Sequence, residues 1–261
     1  MDEIIGVAGC GRMGGPMLRN LQASGFDARG FDPRPSAGVM TDIEAFCDGL
    51  HTLITVVRDS AETDALLFDD QAVVERARDL STIVVSSTLS PRYVMALRAR
   101  IPDHIQLIDA PMSGAQVRAE AGTLTFMVGG DMASITPLLD AMGAGSHHMG
   151  DFGAGMTAKV LNNLLAASHT AMTRLVLDWA DTQGLDEERL LTLINASSGQ
   201  NWLASGFDEI EFARDGFSDD NSIGILAKDV GAALDIAENT NTELPQAVQR
   251  AIRALKPRAK P

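Results

Sequence analysis

Residues 4–21, IIGVAGCGRMGGPMLRNL, decide the fold of this chain. A short apolar run breaks at Gly9, Gly11 and Gly14, and apolar residues then return at helical spacing. Gly9 permits a tight turn, Gly11 lets the backbone approach an anion, and Gly14 lets a helix pack on a strand. The stretch therefore predicts a strand, a turn and a helix whose free N–H groups can hold a pyrophosphate.

An acidic residue follows at the spacing that a dinucleotide site requires. Asp32 lies 18 residues after Gly14, at the end of a second apolar stretch over residues 28–31. A carboxylate there can accept hydrogen bonds from an adenosine ribose, while the loop residues Arg12 and Met13 meet the phosphates. Asp32 would repel a 2′-phosphate and favours NAD, whereas Arg34 can partly compensate and leaves NADP open. The alternative is a glycine-rich turn with an ordinary loop aspartate.

Charge and hydropathy exclude several classes of protein. The 261 residues include 21 Lys and Arg against 35 Asp and Glu, a net charge of −14 that would repel nucleic acid. An anionic substrate then needs a local pocket of donors. No run approaches the roughly 18 apolar residues of a membrane span, and Asp2 and Glu3 replace the basic start of a secretory signal. We expect a cytoplasmic protein with no membrane partner.

The cysteines and histidines do not indicate a metal site. Cys10 and Cys47 are too few for a disulfide framework or a thiolate zinc site. Cys10 precedes a helix, which can lower a thiol pKa, although a small apolar filler is the simpler interpretation. His147 and His148 are adjacent and would point to opposite faces of a strand. We predict no metal.

The first part of the chain alternates between short apolar runs and helical stretches. This rhythm predicts an α/β domain with a Rossmann-type, doubly wound parallel sheet. The predicted strands are residues 4–8, 28–31, 52–57, 83–87, 105–109 and 124–128, and helix candidates include residues 17–24, 59–67, 72–78 and 91–100.

After Gly155 the strand signal disappears. A helical stripe of residues 160, 164, 168, 171, 175 and 179 predicts one long interdomain helix ending at Gly184. Further helices are predicted over residues 186–196, 204–213, 223–238 and 245–255, with a loop at 216–222. The sequence thus predicts a dinucleotide-binding domain over residues 1–155. An all-α substrate and oligomerisation domain follows over residues 156–261.

Three later segments carry small or polar residues where element ends should meet. They are Ser86-Ser87-Thr88 at the carboxyl end of the fourth predicted strand, residues 109–124 with Ser113 and Gly114, and residues 153–163 with Lys159 and Asn163. The simpler interpretations are helix capping, a turn between strands and a solvated lysine. A cation near a helix N-terminus opposes the helix dipole, however, and Lys159 and Asn163 share one helix face.

These motifs together resemble the β-hydroxyacid dehydrogenase family, which includes 3-hydroxyisobutyrate dehydrogenase, tartronate semialdehyde reductase and, more distantly, 6-phosphogluconate dehydrogenase. Five motifs recur in family order: GCGRMGGPMLRNL at 9–21, STLSP at 87–91, DAPMSGA with AGTL at 109–124, GAGMTAKVLNN at 153–163 and LAKDV at 226–230. The chain departs from the family where Ala115 replaces a usual glycine, Arg58 a usual proline and Asn221 a frequent phenylalanine, and its C-terminal domain is shorter.

The resemblance implies roles for individual residues. Ser113 and Gly114 bind the substrate carboxylate, and Asn163 orients the substrate. Lys159 is the acid/base. Thr88 lies near the nicotinamide, Lys228 reaches the cofactor, and Trp202, in a stretch similar to the family's SSGxxW, shapes the pocket. The members form homodimers or homotetramers, and an uncovered apolar stripe on the long helix agrees with that. We expect the basic tail at residues 256–261 to be frayed.

The resulting expectation is reversible hydride transfer between a nicotinamide and the carbinol carbon of a small 3-hydroxy acid. Lys159 takes the hydroxyl proton, for which burial would have to lower its pKa by several units. The alternatives are an NADPH-dependent glyoxylate or semialdehyde reductase and a non-catalytic dinucleotide sensor. Imine reductases share the fold but usually lack the lysine.

Overall fold

The computed structural model describes residues 3–237 and 241–260. The chain divides into two compact units at the boundary between Lys159 and Val160. The first unit is built on a sheet and the second on helices.

The first unit alternates strands and helices. Its strands are β1 Ile4–Ala8, β2 Ala28–Phe31, β3 Val39–Met40, β4 Leu50–Thr55, β5 Thr82–Val85, β6 Gln106–Asp109, β7 Met112–Ser113, β8 Leu124–Gly129 and β9 Gly143–Gly150. Its helices are α1 Gly14–Ala23, α2 Ile43–Cys47, α3 Ser60–Leu67, α4 Val73–Arg76, α5 Pro91–Leu97, α6 Ala115–Glu120 and α7 Met132–Met142.

A single long helix passes through the boundary between the units. It is α8, Ala154–Thr182, and the second unit continues with α9 Glu187–Asn195, α10 Trp202–Ser205, α11 Ser222–Asp235 and α12 Glu243–Arg253. No helix in the described ranges is long and apolar enough to cross a bilayer.

The sheet has the strand order β3-β2-β1-β4-β5-β6-β8-β7, and β9 pairs with β8. The strands β3, β2, β1, β4, β5 and β6 run parallel, and helices connect them as the sequence predicts, except that a loop without a helix joins β2 to the short, unpredicted β3. Beyond β6 the sheet is mixed, because β8 runs antiparallel to β6 and β7 and parallel to β9. All six predicted strands are present, with ends shifted by up to two residues.

Two apolar cores cover the two faces of this sheet. Side chains alternate between faces along a strand, and on β4 the buried Leu53 joins one core while the next residue, Ile54, joins the other. Phe46 and Leu97 pack with Leu53 on the first face, and Phe126 packs with Ile54 on the second. The carboxyl ends of the central parallel strands are thereby fixed relative to one another.

The second unit differs from its sequence prediction in two helices. Residues 204–213 are not one helix, because α10 ends at Ser205 and Gly206 is followed by turns. The helix predicted over 223–238 begins at Ser222 and ends at Asp235, and residue 238 lies outside the described residues.

The predicted apolar stripe of α8 does not face one core throughout. Val160 is buried, but Leu175 and Trp179 are 40% and 64% exposed. The buried face instead carries polar side chains, among them Thr170 and Arg174. The face of α8 that looks apolar in the sequence is therefore partly an outer face.

Residues 256–260 of the basic tail are held in place, contrary to the frayed end expected from the sequence, and residue 261 lies outside the described residues. Arg258 donates to Glu187 at 2.6 Å and to Asp178 and Asp181 at 2.7–2.9 Å. The side chains of Arg258 and Glu187 are almost completely buried. Arg174 also binds the Lys256 carbonyl at 2.5 Å. Local composition cannot reveal these partners, which lie 71–82 residues away along the chain.

Candidate active site

The turn between β1 and α1 has the geometry that the glycines predict. Gly9 has φ of +94°, in the region that favours glycine. A Cβ on Gly14 would collide with the Gly9 carbonyl oxygen, so the helix can start here only on a glycine. A Cβ on Gly11 would meet no atom within 4 Å, which leaves its outer face open to a ligand.

The N-terminus of α1 offers unused donors. Gly15 N–H donates to the Gly11 carbonyl at 3.0 Å, while the N–H groups of Gly11, Arg12 and Met13 meet no acceptor within the described ranges. The first turn of α1 contains no acidic side chain that would compete for them. These donors and the positive end of the helix dipole fit the pyrophosphate of a dinucleotide.

Asp32 lies directly after β2 and is 4% exposed. Its Oδ1 accepts the Arg34 backbone N–H at 3.0 Å and the Arg34 Nε at 3.2 Å, whereas Oδ2 lies 3.5 Å from the guanidinium. The Arg34 side chain is largely exposed. The backbone bond thus orients the carboxylate, and its second oxygen is only weakly engaged.

Cys10 does not have a lowered thiol pKa. Its Sγ donates to the Val7 carbonyl at 3.3 Å, and burial, followed by the charge of Asp32, raises the pKa of the thiol to about 12. The helix-terminus interpretation is wrong, because desolvation outweighs the dipole here. Cys10 is a packed, protonated thiol.

Three buried hydroxyl groups lie at the carboxyl ends of neighbouring strands. Thr55 ends β4, and Ser86 and Ser87 follow β5, with the Ser86 N–H bound to the Thr55 carbonyl at 3.0 Å. None of the three hydroxyls has a hydrogen-bond partner within the described part of the chain. Thr88 comes next and is half-buried. Doubly wound sheets bind ligands at this edge, so the predicted cofactor residue Thr88 lies beside unsatisfied donors.

The predicted carboxylate-binding segment forms a turn between β7 and α6. Ser113 ends β7, and Gly114 has φ of +141° and precedes α6. Ser113 and Gly114 are both half-buried. Ala115, which stands where the family usually has glycine, has φ of +54°. Residues 114 and 115 therefore both have positive φ, as a pair of glycines would, although the second of them is an alanine.

Asp109 is a residue that sequence reasoning did not select. It is completely buried at the end of β6 and accepts the N–H groups of Gly153 at 2.7 Å and Met156 at 2.5 Å. Burial raises the pKa of this carboxyl to about 6, and the two N–H donors act in the opposite direction. Its position at the start of the DAPMSGA motif was the available signal.

Lys159 lies on the second turn of α8 and is 7% exposed. Asn163, four residues later, is 8% exposed, so the predicted pair occupies one buried face of the helix. Val160 is also buried, as expected, whereas Leu161 is exposed.

In the second unit, Asn163 has two side-chain partners. Its Nδ2 donates to Asp229 Oδ2 at 2.6 Å, and its Oδ1 accepts from Asn162 at 3.3 Å. Asp229 is buried, and Lys228 Nζ lies 3.8 Å from its Oδ1. Asp229, in the LAKDV motif, thus binds the side-chain amide of Asn163, the residue predicted to orient the substrate. Sequence reasoning missed this role of Asp229.

Trp202 does not share this cluster. It is 45% exposed at the start of α10, and its ring centroid lies 6.1 Å from that of Phe212. The structure brings Asn163, Asp229 and Lys228 together, and Trp202 packs elsewhere in the same unit. Within the described residues, no three His, Cys, Asp or Glu side chains converge as metal ligands.

Two family models match almost the whole chain. Residues 4–150 match the NAD binding domain of 6-phosphogluconate dehydrogenase. Residues 153–259 match the model described as NAD-binding of NADP-dependent 3-hydroxyisobutyrate dehydrogenase.

Individual relatives agree with these models. The chain is 30% identical to the 3-hydroxyisobutyrate dehydrogenase of Pseudomonas aeruginosa, over 92% of this chain and 87% of that protein. It is also 30% identical to the NAD-dependent L-serine dehydrogenase of the same species, with the same coverage. A solved Mycobacterium tuberculosis 3-hydroxyisobutyrate dehydrogenase with L-serine matches with a TM-score of 0.80 at 27% identity, covering 98% of this chain and 97% of that chain.

Proposed function

Since the chain belongs to the β-hydroxyacid dehydrogenase family and is therefore an NAD(P)-dependent oxidoreductase, we propose that it oxidises a small 3-hydroxy acid with Lys159 as the proton acceptor. The observation that carries the assignment is the burial of Lys159 on the same helix face as Asn163. A buried lysine is rare unless it has a function or a partner.

The proposed reaction divides the work between the cofactor and the chain. The nicotinamide, when bound, accepts a hydride from the carbinol carbon. The chain's own residues hold the dinucleotide at the α1 N-terminus and at Asp32. Thr88, beside the unsatisfied hydroxyls, and Lys228 serve as further cofactor contacts.

Lys159 handles the proton. As a neutral amine it takes the hydroxyl proton while the C–O bond becomes a carbonyl, and as an ammonium it returns that proton in reduction. A base must carry no proton to accept one, so oxidation near neutral pH needs the neutral amine of Lys159.

The substrate carboxylate is assigned to the turn after β7. Ser113 Oγ and the Gly114 N–H supply donors without adding a full positive charge. The net charge of −14 by itself would repel an anionic substrate, and these local donors offset that repulsion at the binding site. Trp202 is the remaining candidate for shaping the substrate pocket.

Asp229 joins the proposed site through Asn163. Its 2.6 Å bond to Nδ2 holds the amide in one orientation, so the Asn163 carbonyl has a defined direction. Asp229→Asn would keep the shape of the side chain but replace one of its two acceptor oxygens with an NH₂ donor, which weakens its hold on the Asn163 amide. We expect a raised KM for the acid with the cofactor KM unchanged.

NAD is the proposed cofactor, and NADP is the alternative. A 2′-phosphate would approach the Asp32 carboxylate, whose Oδ2 is only weakly engaged by Arg34. Comparing kcat/KM with both dinucleotides tests this choice, and Asp32→Ser should raise the efficiency with NADP. An equal or higher kcat/KM of the unaltered enzyme with NADP would overturn the assignment.

A panel assay tests the function as a whole. Reduced nicotinamide would be followed by absorbance with 3-hydroxyisobutyrate, serine, glycerate and related acids, because relatives named for the first two are similar to this chain. Lys159→Ala should lower kcat by about 100-fold or more while the dinucleotide still binds. Turnover that survives this change would refute the role of Lys159. Cofactor binding without oxidation of any acid would favour the sensor.

A homodimer or homotetramer is part of the proposal. α8 exposes Leu161, Leu165, Met172, Leu175 and Trp179, all at least 40% exposed, and their spacings of three, four and seven residues place them along one face. A second copy that presents the same face would cover this stripe.

Light scattering on the eluted protein measures this assembly. Leu165→Glu with Met172→Glu should lower the mass per particle, and Leu244→Glu, at an exposed leucine of α12, is the matched control. A monomeric unaltered protein would contradict the proposal.

We propose that the two units have the roles predicted for the two domains, dinucleotide binding for the first, and substrate binding and oligomerisation for the second. The first unit holds the dinucleotide, and the second contributes Asn163 and the oligomer contacts. A cytoplasmic location belongs to the proposal too, since the described cysteines are free thiols, which suits a reducing compartment.

A further inference from the structure

The N-terminus of α8 is closed by a carboxylate from the sheet. Asp109, the last residue of β6, binds Gly153 N–H with Oδ1 and Met156 N–H with Oδ2. The first N–H groups of a helix have no partner within it, so both bonds satisfy donors that need an outside acceptor. Lys159 follows Met156 by three residues, about one helical turn.

Two glycines beside Asp109 have no room for a side chain. A Cβ on Gly129 would collide with Asp109 Oδ1, and a Cβ on Gly155 would lie 2.8 Å from the Asp109 carbonyl oxygen. On the other side of the first turn, Met156 Sδ accepts the Leu89 N–H at 3.4 Å. The start of α8 is thus seated directly on β6 and β8.

Few charged groups surround Asp109 and the first turn of α8. The flanking strands β5 and β8 carry no ionisable side chain. In the segment that packs against Asp109, the ionisable residues are Asp151, before α8, and Lys159. The dominant influence on the carboxyl is its burial, which raises its pKa to about 6.

We propose that Asp109, in its ionised form, is a positioning residue that locks the first turn of α8 to the sheet and so holds Lys159 in place for proton transfer. This inference rests on the proposed role of Lys159. Protonation turns one acceptor oxygen into a hydroxyl, so either Gly153 or Met156 loses its acceptor and the first turn is released.

Stability and turnover then move in opposite directions as the pH falls. An aspartate in the unfolded chain titrates at about pH 3.9. Between that pH and about 6, the folded chain holds the extra proton, so lowering the pH stabilises the fold. A fall in turnover over the same interval therefore reports the position of Lys159 and not unfolding.

The test measures the reductive direction, with the aldehyde product of whichever acid the panel identifies. In this direction Lys159 acts as the proton donor, so acid pH does not remove its active form. We expect kcat to fall by about tenfold per pH unit below pH 6. Asp109→Asn should lower kcat at pH 7.5 by about 10- to 100-fold, abolish that acid limb and leave the cofactor KM within about twofold. Asp103→Asn, at a fully exposed aspartate, is the control and should keep the unaltered profile.

Amide resonances give a readout that does not need turnover. The Gly153 and Met156 N–H signals of the unaltered protein should shift together with a midpoint near pH 6, and this midpoint should persist in Lys159→Ala. Signals that do not titrate between pH 5 and 8, or an Asp109→Asn variant with unaltered kcat and acid limb, would overturn the inference. Should Asp109→Asn not fold, the amide titration and the acid limb of the unaltered enzyme decide. Turnover that survives Lys159→Ala would refute the proposed function, and this result is distinct from the outcomes that test Asp109.

Discussion

Replacing Arg258 with alanine should destabilise the second unit more than any other change in the tail. The guanidinium donates to Glu187 at 2.6 Å, with both side chains almost completely buried. A hydrogen bond to a charged group contributes about 1.5–3 kcal/mol. The bonds to Asp178 and Asp181, which are more than half exposed, add about 0–1 kcal/mol each. Glu187 keeps its bond to Arg214, which limits the loss.

The expected loss is about 2–4 kcal/mol of unfolding free energy. With a urea m-value of about 1–3 kcal/mol per molar, the midpoint of urea unfolding should fall by about 1 M or more. Lys260→Ala removes the same charge from an exposed position of the tail and should change stability by less than about 0.5 kcal/mol. Arg258→Lys should recover only part of the loss, since one ammonium cannot replace the guanidinium fork. Equal midpoints for Arg258→Ala and Lys260→Ala would refute the view that ion pairs anchor the tail.

Three further predictions follow from the first unit. Ala115→Gly should stabilise the turn before α6 by up to about 1 kcal/mol, measured by thermal unfolding, because alanine at φ of +54° is strained and glycine is not. Gly14→Ala should weaken dinucleotide binding by about tenfold or more in calorimetry, because its Cβ would push α1 away from the Gly9 carbonyl. With burial raising the thiol pKa of Cys10 to about 12 and of Cys47 to about 11, neither should be alkylated rapidly by iodoacetamide at pH 8, where the reactive thiolate is scarce.

The glycine turn was the part of the fold most accessible from sequence. Its three glycines, the flanking strand and helix, and Asp32 form one local pattern, and the family models confirm the dinucleotide-binding fold and the oxidoreductase class. The parallel strands β1, β2, β4, β5 and β6 were predictable for a similar reason, since each is a short apolar run between turn residues.

β9 could not be predicted from its own residues. Its sequence, GAGSHHMG, has almost no strand-forming side chains, and most of the strand is exposed. It is a strand because β8 offers a complete parallel edge for pairing. The same dependence on a partner explains β3 and β7, which are two residues long each.

Within the candidate site, the roles of Ser113, Gly114, Asn163, Lys159, Thr88, Lys228 and Trp202 remain predictions. What sequence reasoning missed were the carboxylates that orient them. Asp109 lies 44 residues from its partner Gly153, and Asp229 lies 66 residues from Asn163. Spacing rules see neighbours within one helix or turn, and such long-range pairs appear only after folding.

The close contact between the start of α8 and the sheet also limits which substitutions can accumulate in this chain during evolution. A Cβ on Gly129 would meet the Asp109 carboxylate and also the Asp151 carbonyl oxygen, and a Cβ on Gly155, inside α8, would meet the Met127 and Asp109 carbonyl oxygens. Backbone atoms therefore forbid a side chain at both positions, whatever residue stands at 109. An orthologue that has lost the acid should still keep both glycines, whereas one that has lost either glycine must have moved the start of α8 away from the sheet.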